Sequence, residues 1–450
     1  MKHWIFIFAL FLIMPGLNLG QKDLNDHQSL LVSRAGDFVE ALVSKEYKRT
    51  VQHYDSTMLK AAPPDKMKEV WEMILAQTGS FKSQKDFRLE NAGIYEIVYI
   101  TCEFEKATLD IKVVFNSEGK IAGQFFVPTQ QQENYQPPSY ISKESFKETN
   151  IKLGTGEWIL PGTLTIPVGE GPFPGLVLVH GSGPNDRDET LGPNKPFKDL
   201  AWGLASRGIA VLRYDKRTKI YGKKIVEEKL LFTVKEETVD DALLGVELLR
   251  DHEKINPGKV FILGHSLGGT LIPRIGLRDK TIAGFIILAG LTRPIEDTFL
   301  DQYNYVFSLD GKISQTEKKK LQELKNTIQA IKNLNEEELK SDKNYLGAAA
   351  VYWLDLRNYH PSETAKELDQ PLLILQGGRD YQVKEEDFNA WKDKLSCKEN
   401  VQFKFYPNLN HLFIEGTGKI TPQEYQKAGH LDLDVIEDIA EWIKQIYFEL

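Results

Sequence analysis

A short apolar strand that leads directly into a glycine-flanked serine constrains the fold of this chain more than any other segment. Residues 260–263 are Val-Phe-Ile-Leu, and Gly264-His265-Ser266-Leu267-Gly268 follows them. A serine in this Gly-x-Ser-x-Gly spacing, between a strand and a helix, is typical of a nucleophile elbow. A Cβ at Gly264 or Gly268 would collide with the neighbouring strand or helix. The alternative is a glycine-rich turn with an incidental serine.

Strands and helices alternate from about residue 145 onward, which indicates a mostly parallel sheet. We predict strands at 158–166, 176–180, 209–214, 260–263, 285–289, 372–376 and 401–405, the first of them antiparallel. Predicted helices cover about 197–207, 238–251, 267–277 and 435–447. A capping box at Thr238 to Asp241 is expected to begin the second helix. This order predicts an α/β-hydrolase fold over residues 141–450.

That fold places its catalytic groups after strand ends, in the order nucleophile, acid, histidine. Asp380 follows a buried strand and a Gly-Gly turn, and a helix cap or loop carboxylate is the alternative. His411 follows the last strand, whereas His430 lies near the start of the final helix, where a solvated histidine is expected. We therefore predict a triad of Ser266, Asp380 and His411 that acts through an acyl-enzyme intermediate.

The tetrahedral intermediate of such chemistry needs backbone donors near its oxyanion. One should be the Leu267 N–H, at the start of the helix after the nucleophile. The other should be the N–H of Ser182 or of Gly183, in a loop that His180 orients; a plain strand-end turn is the alternative. The sequence holds no His-x-x-x-His motif and no cysteine cluster. We therefore predict neither a metal nor any other cofactor.

Several spaced motifs in this part of the chain resemble one family. They are Gly181-Ser-Gly-Pro-Asn-Asp-Arg-Asp188, Leu212-Arg-Tyr-Asp-Lys-Arg217, Gly264-His-Ser-Leu-Gly-Gly269 and Tyr352-Trp-Leu-Asp-Leu356. Residues from about 145 to 450 are similar to bacterial exported α/β-hydrolase carboxylesterases whose oxyanion loop reads Gly-Ser-Gly-Pro-x-Asp-Arg-Asp. The resemblance implies hydrolysis of small acyl esters without a cofactor. It also implies that Asp186, Arg187 and Asp188 shape the oxyanion loop through a local ion-pair network; a solvated polar loop is the alternative.

An insertion at about 296–362 separates two of the predicted strands and is too long for an ordinary connection. Its middle, at 316–340, is charged and helical, and its ends carry aromatic residues. We predict a helical cap over the active site. Tyr303, Tyr345, Tyr352 and Trp353 are predicted to line the substrate pocket. The alternative is that these aromatic side chains only attach the cap to the core.

The N-terminus has the layout of a secretory signal peptide. Lys2 and His3 precede an apolar run at 4–14, and Pro15-Gly16 ends it before small and polar residues near position 20. The run is too short to span a bilayer. We predict that residues 1–20 are removed on export to the periplasm or the cell exterior. A retained interfacial anchor is the alternative, and no transmembrane segment is predicted later in the chain.

A Gln- and Pro-rich linker at 129–140 is predicted to separate two domains. Upstream, residues 25–128 begin with a helical apolar pattern over 27–46 and end with strands at 87–89, 95–104, 109–115 and 121–127. Helices followed by a curled antiparallel sheet resemble the small α+β domain of the nuclear-transport-factor-2-like (NTF2-like) superfamily. We predict a stabilising or dimerising module here rather than a second active site.

The charge balance narrows the choice of partner. The chain has 56 basic and 64 acidic residues, a net charge of −8, and no basic run. This composition disfavours nucleic acid, and a small-molecule ester is the predicted partner. The same triad also serves exported serine peptidases of aminopeptidase or prolyl-oligopeptidase type, for which Glu296 and Asp297 could bind an amine, and thioesterases. A non-catalytic ligand-binding protein is a further alternative, although nothing structural requires all three triad residues.

Overall fold

The computed structural model describes residues 25–92, 95–129, 135–335, 337–338 and 343–449. The predicted signal peptide at 1–20 and residues 130–134 of the predicted linker lie outside the described residues. The described chain forms two compact units. One contains the described residues of 135–220 and 230–449, and the other contains the described residues of 25–129 together with 221–229. The first division falls within the span predicted as the linker.

The smaller unit has helices first and then an antiparallel sheet of four strands in the order β1-β2-β3-β4. Its elements are α1 (Asp26–Val43), α2 (Tyr47–Thr50), α3 (Ser56–Ala61), α4 (Pro64–Thr78), β1 (Phe81–Ala92), β2 (Tyr95–Phe104), β3 (Thr108–Phe115) and β4 (Ile121–Pro128). Alternate residues of β2, Val98, Ile100 and Cys102, are fully buried, as expected where one face of a sheet packs on helices. They form one apolar cluster with Phe38 of α1 and Trp71 of α4. The predicted small α+β domain is confirmed.

The larger unit is built around an eight-stranded sheet in the order β14-β13-β10-β9-β7-β8-β6-β5. Its strands are β5 (Phe146–Leu153), β6 (Leu160–Pro167), β7 (Phe173–Val179), β8 (Ala210–Tyr214), β9 (Ile255–His265), β10 (Gly284–Leu288), β13 (Leu372–Gly377) and β14 (Val401–Tyr406); β11 (Asn344–Tyr345) and β12 (Ala348–Ala349) form a separate pair. β5 and β6 pair antiparallel, as do β6 and β8, and the other neighbours are parallel. This topology confirms the predicted α/β-hydrolase fold.

The central strands are apolar because helices cover both faces of a parallel sheet. β10 is buried along its whole length, and the last six residues of β9 are buried too. Each fully buried Leu, Ile or Phe side chain contributes about 1.5–3 kcal/mol relative to an exposed one. The helices outside the insertion are α5 (Pro196–Ala205), α6 (Arg217–Glu227), α7 (Asp240–Arg250), α8 (Leu267–Arg278), α13 (Glu385–Leu395) and α14 (Leu433–Glu449). Parallel pairing brings the loops after β7, β9, β13 and β14 to one sheet edge.

The capping box predicted at Thr238 is wrong. Residues Lys235–Val239 form a π-helical turn that continues directly into α7, so no free helix N-terminus exists at this position. The Thr238 hydroxyl is buried without a hydrogen-bond partner in the described part of the chain. Within the turn, the Glu236 carboxylate accepts hydrogen bonds from a residue just upstream, from the Thr233 N–H at 3.0 Å and the Thr233 hydroxyl at 2.8 Å. The first polar contacts of this helical segment therefore lie one turn earlier than predicted.

The segment between β10 and β13, called the insertion below, is largely helical, as predicted. It contains α9 (Ile295–Phe307), α10 (Gln315–Lys332), α11 (Ala350–Leu356) and α12 (Pro361–Thr364). Arg293, immediately before α9, lies 2.7 Å from Asp301 of α9 and 2.9 Å from Asp387 of α13. The Asp387 side chain is fully buried. The guanidinium therefore joins the first helix of the insertion to the hydrolase core.

Candidate active site

Ser266 lies on a strained turn between β9 and α8. Its backbone has φ 53° and ψ −116°, a positive φ that non-glycine residues rarely adopt. The two elbow glycines make this turn possible. A Cβ on Gly264 would lie 2.4 Å from the Gly268 carbonyl, and a Cβ on Gly268 would lie 2.3 Å from the Val179 carbonyl oxygen. Both positions therefore exclude any larger residue, as the sequence analysis predicted.

Asp380 and His411 meet at the edge of the sheet where Ser266 lies. Asp380 follows β13, His411 follows β14, and Asp380 Oδ2 lies 2.6 Å from His411 Nδ1. The other carboxylate oxygen of Asp380 accepts the N–H groups of Gln382 at 2.8 Å and Val383 at 3.0 Å. These bonds orient the carboxylate so that it accepts the Nδ1 proton of the imidazole. A neutral His411 then has its Nε2 free to accept a proton.

His411 is close to the elbow, because its ring centroid lies 4.6 Å from that of His265. The Ser266 hydroxyl makes no hydrogen bond to another described residue, and catalytic hydrogen bonds commonly tighten only once substrate is bound. His430 is positioned differently, with Nδ1 3.3 Å from Asp199. The structure thus brings His411, and not His430, together with Asp380.

The loop after β7 packs directly against the nucleophile. A Cβ on Gly181 would lie 3.1 Å from Ser266 Cβ. The backbone N–H groups of Ser182, Gly183 and Leu267 make no hydrogen bond within the described ranges. The predicted oxyanion donors are therefore available to a ligand. The Gly181 N–H is not available, because it donates to Glu189 at 2.6 Å.

His180 is buried and neutral beneath this loop. Burial lowers its pKa to about 4, and its Nε2 lies 3.1 Å from the Asp186 carbonyl oxygen, so Nε2–H donates to that oxygen. The Asp186 carboxylate accepts the N–H of Asp188 at 3.1 Å and the N–H of Thr190 at 3.0 Å. These bonds hold the loop in shape, although Asp186 acts through backbone N–H groups and not through an ion pair.

Arg187 and Asp188 bind neighbouring segments rather than each other. The Arg187 guanidinium lies 2.8 Å from Asp215 and donates to the Gly162 carbonyl at 3.0 Å. Asp188 pairs with the buried Arg213 of β8. The loop is therefore attached to β8 and the residue after it by ion pairs and to β6 by hydrogen bonds, and it is not simply solvated.

Glu189 and His265 form a buried ion pair that the sequence analysis did not identify. Glu189 Oε2 lies 2.9 Å from His265 Nδ1, and His265 Nε2 lies 2.9 Å from the His411 carbonyl oxygen. The carbonyl and the ionised carboxylate are acceptors only, so both ring nitrogens donate and the ring is a cation. Burial would lower the pKa of His265, but Glu189 outweighs it and the pKa is raised. Burial would raise the pKa of Glu189, but His265 outweighs it and the pKa is lowered.

Lys216 is a second buried charge under the same loop. Its Nζ donates to the Gly181 carbonyl at 2.7 Å and lies 3.0 Å from the Glu237 carboxylate. Glu237 also accepts the Tyr352 hydroxyl of the insertion at 2.8 Å. Glu189 directly follows the motif at 181–188, and Lys216 lies within the motif at 212–217. Proximity to those motifs was the one signal in the sequence that could have identified them.

The four aromatic residues that were predicted to line the substrate pocket lie in different environments. Tyr352 is bound to Glu237, and Trp353 is buried in an apolar cluster of the insertion, donating its Nε1–H to the Tyr345 carbonyl at 2.9 Å. The Tyr303 ring packs on Phe307 of the same helix. The contact of Tyr352 with Glu237 supports the alternative that this side chain attaches the insertion to the core, whereas the contacts of Trp353 lie within the insertion itself. The assignment of Tyr303 and Tyr345 to a substrate pocket stays a prediction.

Comparison with known proteins gives a close relative of most of the chain. Esterase EstD of Thermotoga maritima is 40% identical over 406 residues, which cover 90% of this chain and 93% of that protein. Residues 194–416 match a family model described as Serine aminopeptidase, S33. Residues 35–123 match one described as a protein of unknown function (DUF3887). The match at 194–416 includes Ser266, Asp380 and His411 but begins after the oxyanion loop.

Solved structures share lower similarity with the chain. Est1E from Butyrivibrio proteoclasticus is 16% identical, with a TM-score of 0.41, over 67% of this chain and 98% of that one. An acylaminoacyl peptidase from Pyrococcus horikoshii is 14% identical, with a TM-score of 0.45, over 81% of this chain and 55% of that one.

Proposed function

This chain belongs to the α/β-hydrolase family that includes Esterase EstD, and on that premise we propose that it is a serine hydrolase that cleaves carboxylic esters of small acyl groups. The observation that carries the proposal is the hydrogen bond of 2.6 Å between His411 and Asp380, at the sheet edge where Ser266 occupies a strained elbow. Sequence identity of 40% to a protein named as an esterase supports an ester as the substrate.

In this mechanism Ser266 is the nucleophile and His411 is the general base. Asp380 fixes the imidazole tautomer, so that Nε2 takes the serine proton as Oγ attacks the ester carbonyl carbon. The imidazolium then gives this proton to the leaving alcohol, and an acyl-enzyme forms on Ser266. Water, deprotonated by His411, attacks the acyl carbon and releases the acid, which restores the serine hydroxyl.

The oxyanion of each tetrahedral intermediate is bound by backbone donors. We assign the N–H of Leu267 and that of Ser182, or alternatively of Gly183, to this role, because none of them has a partner within the described part of the chain. A single donor of this kind contributes about 10²–10³-fold to the rate. No metal or cofactor takes part in the proposed steps.

A serine peptidase is the second candidate, because residues 194–416 match a family model described as a serine aminopeptidase. That activity needs a carboxylate for the substrate amine, and the sequence suggested Glu296 and Asp297. Asp297 lies 2.6 Å from Lys332, so its charge is already paired. Burial raises the pKa of Glu296. The ion pair of Asp297 and the raised pKa of Glu296 make both residues poorer partners for a substrate amine, which favours the esterase over the peptidase.

A panel of substrates distinguishes esterase, peptidase and thioesterase activity. The full mature chain is assayed on p-nitrophenyl esters of increasing acyl length, on a thioester, and on aminoacyl and prolyl p-nitroanilides. We expect turnover of short esters and, for Ser266→Ala, a loss of about 10⁴-fold or more in kcat with an unchanged circular dichroism spectrum. Ser396→Ala, at an exposed helix end, serves as the matched control. Comparable kcat in Ser266→Ala would exclude Ser266 as the nucleophile.

We further propose that the enzyme is of the exported carboxylesterase type with the Gly-Ser-Gly-Pro-x-Asp-Arg-Asp loop. The loop at 181–188 and the apolar run at 4–14 support this assignment. No helix of the described chain has the length and apolar character needed to cross a bilayer. Mass spectrometry of the protein recovered from a periplasmic fraction tests cleavage near residue 20, and an uncleaved chain in the cytoplasm would contradict export.

The smaller unit is proposed to be an NTF2-like domain with a stabilising or dimerising role. Its support is the order of four helices followed by the antiparallel sheet β1-β2-β3-β4. Light scattering of the full chain measures its oligomeric state. A monomer at micromolar concentration would exclude the dimerising role.

A further inference from the structure

Lys216 is a buried lysine whose charge is directed at one peptide group. It is 1% exposed, and a buried ammonium is costly unless it is paired and hydrogen-bonded. Its partners are the Glu237 carboxylate at 3.0 Å and the Gly181 carbonyl at 2.7 Å. Asn185 Nδ2 is a second donor to that carbonyl, at 3.2 Å. One carbonyl oxygen beside the nucleophile thus receives two side-chain donors.

The Gly181 carbonyl and the Ser182 N–H belong to the same peptide unit. In a trans peptide the two groups point in opposite directions within one plane. The only cis peptide bond among the described residues is Gly171–Pro172, so the peptide between 181 and 182 is trans. Binding of its oxygen to Lys216 therefore fixes the direction of its N–H. That N–H is one of the two alternatives assigned above, beside the Leu267 N–H, to the oxyanion.

A cation on a carbonyl oxygen also strengthens the N–H at the other end of the peptide. Hydrogen bonds in series polarise one another, and the effect is larger in a low-dielectric interior. The second contact of the loop acts on the preceding peptide, because Glu189 accepts the Gly181 N–H at 2.6 Å. Gly181 is thus held by a cation at its carbonyl and an anion at its N–H.

We propose that Lys216 is a positioning residue of the oxyanion hole, which it orients and polarises through the Gly181–Ser182 peptide. This inference rests on the proposed function, because it requires an oxyanion to form beside Ser266. The same chain of contacts reaches the insertion, since Glu237 accepts the Tyr352 hydroxyl at 2.8 Å. Tyr352 of α11 therefore supports Glu237, Glu237 supports Lys216, and Lys216 supports the peptide that binds the oxyanion.

A merely structural role, in which Lys216 only balances Glu237, makes a different prediction. Removal of one member of a buried ion pair leaves an uncompensated charge, and removal of both members is better tolerated. If Lys216 only balances charge, Lys216→Met should impair the enzyme and Lys216→Met/Glu237→Gln should recover. If Lys216 orients the oxyanion hole, the double variant regains stability but not kcat.

The test compares wild type, Lys216→Met, Lys216→Met/Glu237→Gln and the matched control Arg217→Met. Arg217 forms the neighbouring buried ion pair with Asp241 and makes no contact with the Gly181 peptide. We measure kcat and KM on a short p-nitrophenyl ester, the inhibition constant of an aryl trifluoromethyl ketone that forms a tetrahedral adduct, and thermal unfolding.

We expect kcat to fall about 10–100-fold in both Lys216 variants, somewhat less than for complete loss of one oxyanion donor. KM should stay within about twofold, and the ketone should bind more weakly by a factor similar to the fall in kcat. Arg217→Met should lose stability with a much smaller change in kcat. Tyr352→Phe should reduce kcat less than Lys216→Met, because Glu237 and Lys216 remain.

Two outcomes would overturn the inference. Recovery of wild-type kcat in the double variant would show that Lys216 only balances charge. An equal loss of kcat in Arg217→Met would show that stability alone explains the effect. Measurements on the wild type test the proposed function separately. If the wild-type enzyme neither hydrolyses the ester nor reacts with a fluorophosphonate, the proposed function is wrong, and this inference is wrong with it.

Discussion

Replacement of Glu189 by leucine removes an acceptor that two buried donors share. The carboxylate accepts the Gly181 N–H at 2.6 Å and the His265 Nδ1–H at 2.9 Å, and the Glu189 side chain is only 7% exposed. Breaking a buried ion pair by removing one partner costs about 3–5 kcal/mol. At about 2–4 °C per kcal/mol for a large domain, we expect Glu189→Leu to lower the Tm by roughly 6–20 °C.

Glu189→Gln is the matched variant, because the amide keeps one acceptor and adds a donor. The amide oxygen can accept the Gly181 N–H while its NH₂ group donates to a neutral His265 that keeps its Nε2–H on the His411 carbonyl. All polar groups are then satisfied, and charge-assisted bonds become neutral ones, at about 1–3 kcal/mol. Thermal unfolding of both variants near pH 6 measures the difference. Equal losses in Tm, or a Glu189→Leu variant as stable as wild type, would refute this reasoning.

The pH dependence of stability gives a second measurement on the same variant. The pKa of His265 is raised above 6.5, so its contribution is complete below about pH 6.5 and is lost as pH rises through the folded-state value. The pKa of Glu189 is lowered below 4.5, so its contribution is present above about pH 4.5 and is lost as pH falls through the folded-state value. The stability difference between wild type and Glu189→Gln should be largest between about pH 4.5 and 6.5. The absence of a stability difference between about pH 4.5 and 6.5 would contradict the ion pair.

Two further pairs of variants test the site and the elbow. His411→Ala should lower kcat on a p-nitrophenyl ester by about 10⁴-fold or more, whereas His430→Ala, whose ring lies beside a different aspartate, should stay within about threefold; the reverse order would mean that the base is misassigned. Gly268→Ala places a Cβ 2.3 Å from a carbonyl oxygen and should cost about 3 kcal/mol or more in unfolding free energy. Gly36→Ala, whose Cβ meets nothing within 4 Å on α1, should be neutral or slightly stabilising, so similar Tm values for the two alanine variants would contradict the steric account.

The fold and the three proposed catalytic side chains could be predicted from the sequence because their signals are local. Ser266, Asp380 and His411 each follow an apolar strand, and strand order alone ranks His411 above His430. The elbow glycines are likewise a local pattern of five residues. Such predictions do not depend on knowing which segments, far apart in the sequence, are in contact in the folded chain.

The residues that support the site could not be predicted, because burial depends on non-local packing. Glu189 and Lys216 are charged residues near loops, where a solvated side chain is the usual expectation. Only the fold shows that both contact Gly181. The prediction of a capping box at Thr238 was wrong for a related reason. A Thr-x-x-Asp pattern is the same whether a helix begins at the threonine or continues from a π-helical turn.

The ion pairs of Arg293 have a consequence for exchanging the insertion between related enzymes. Because its guanidinium binds both Asp301 and the buried Asp387, these pairs connect α9 to α13. A chimera that receives the insertion of a relative should therefore be joined after Phe307, so that Arg293, Asp301 and Asp387 come from the same parent.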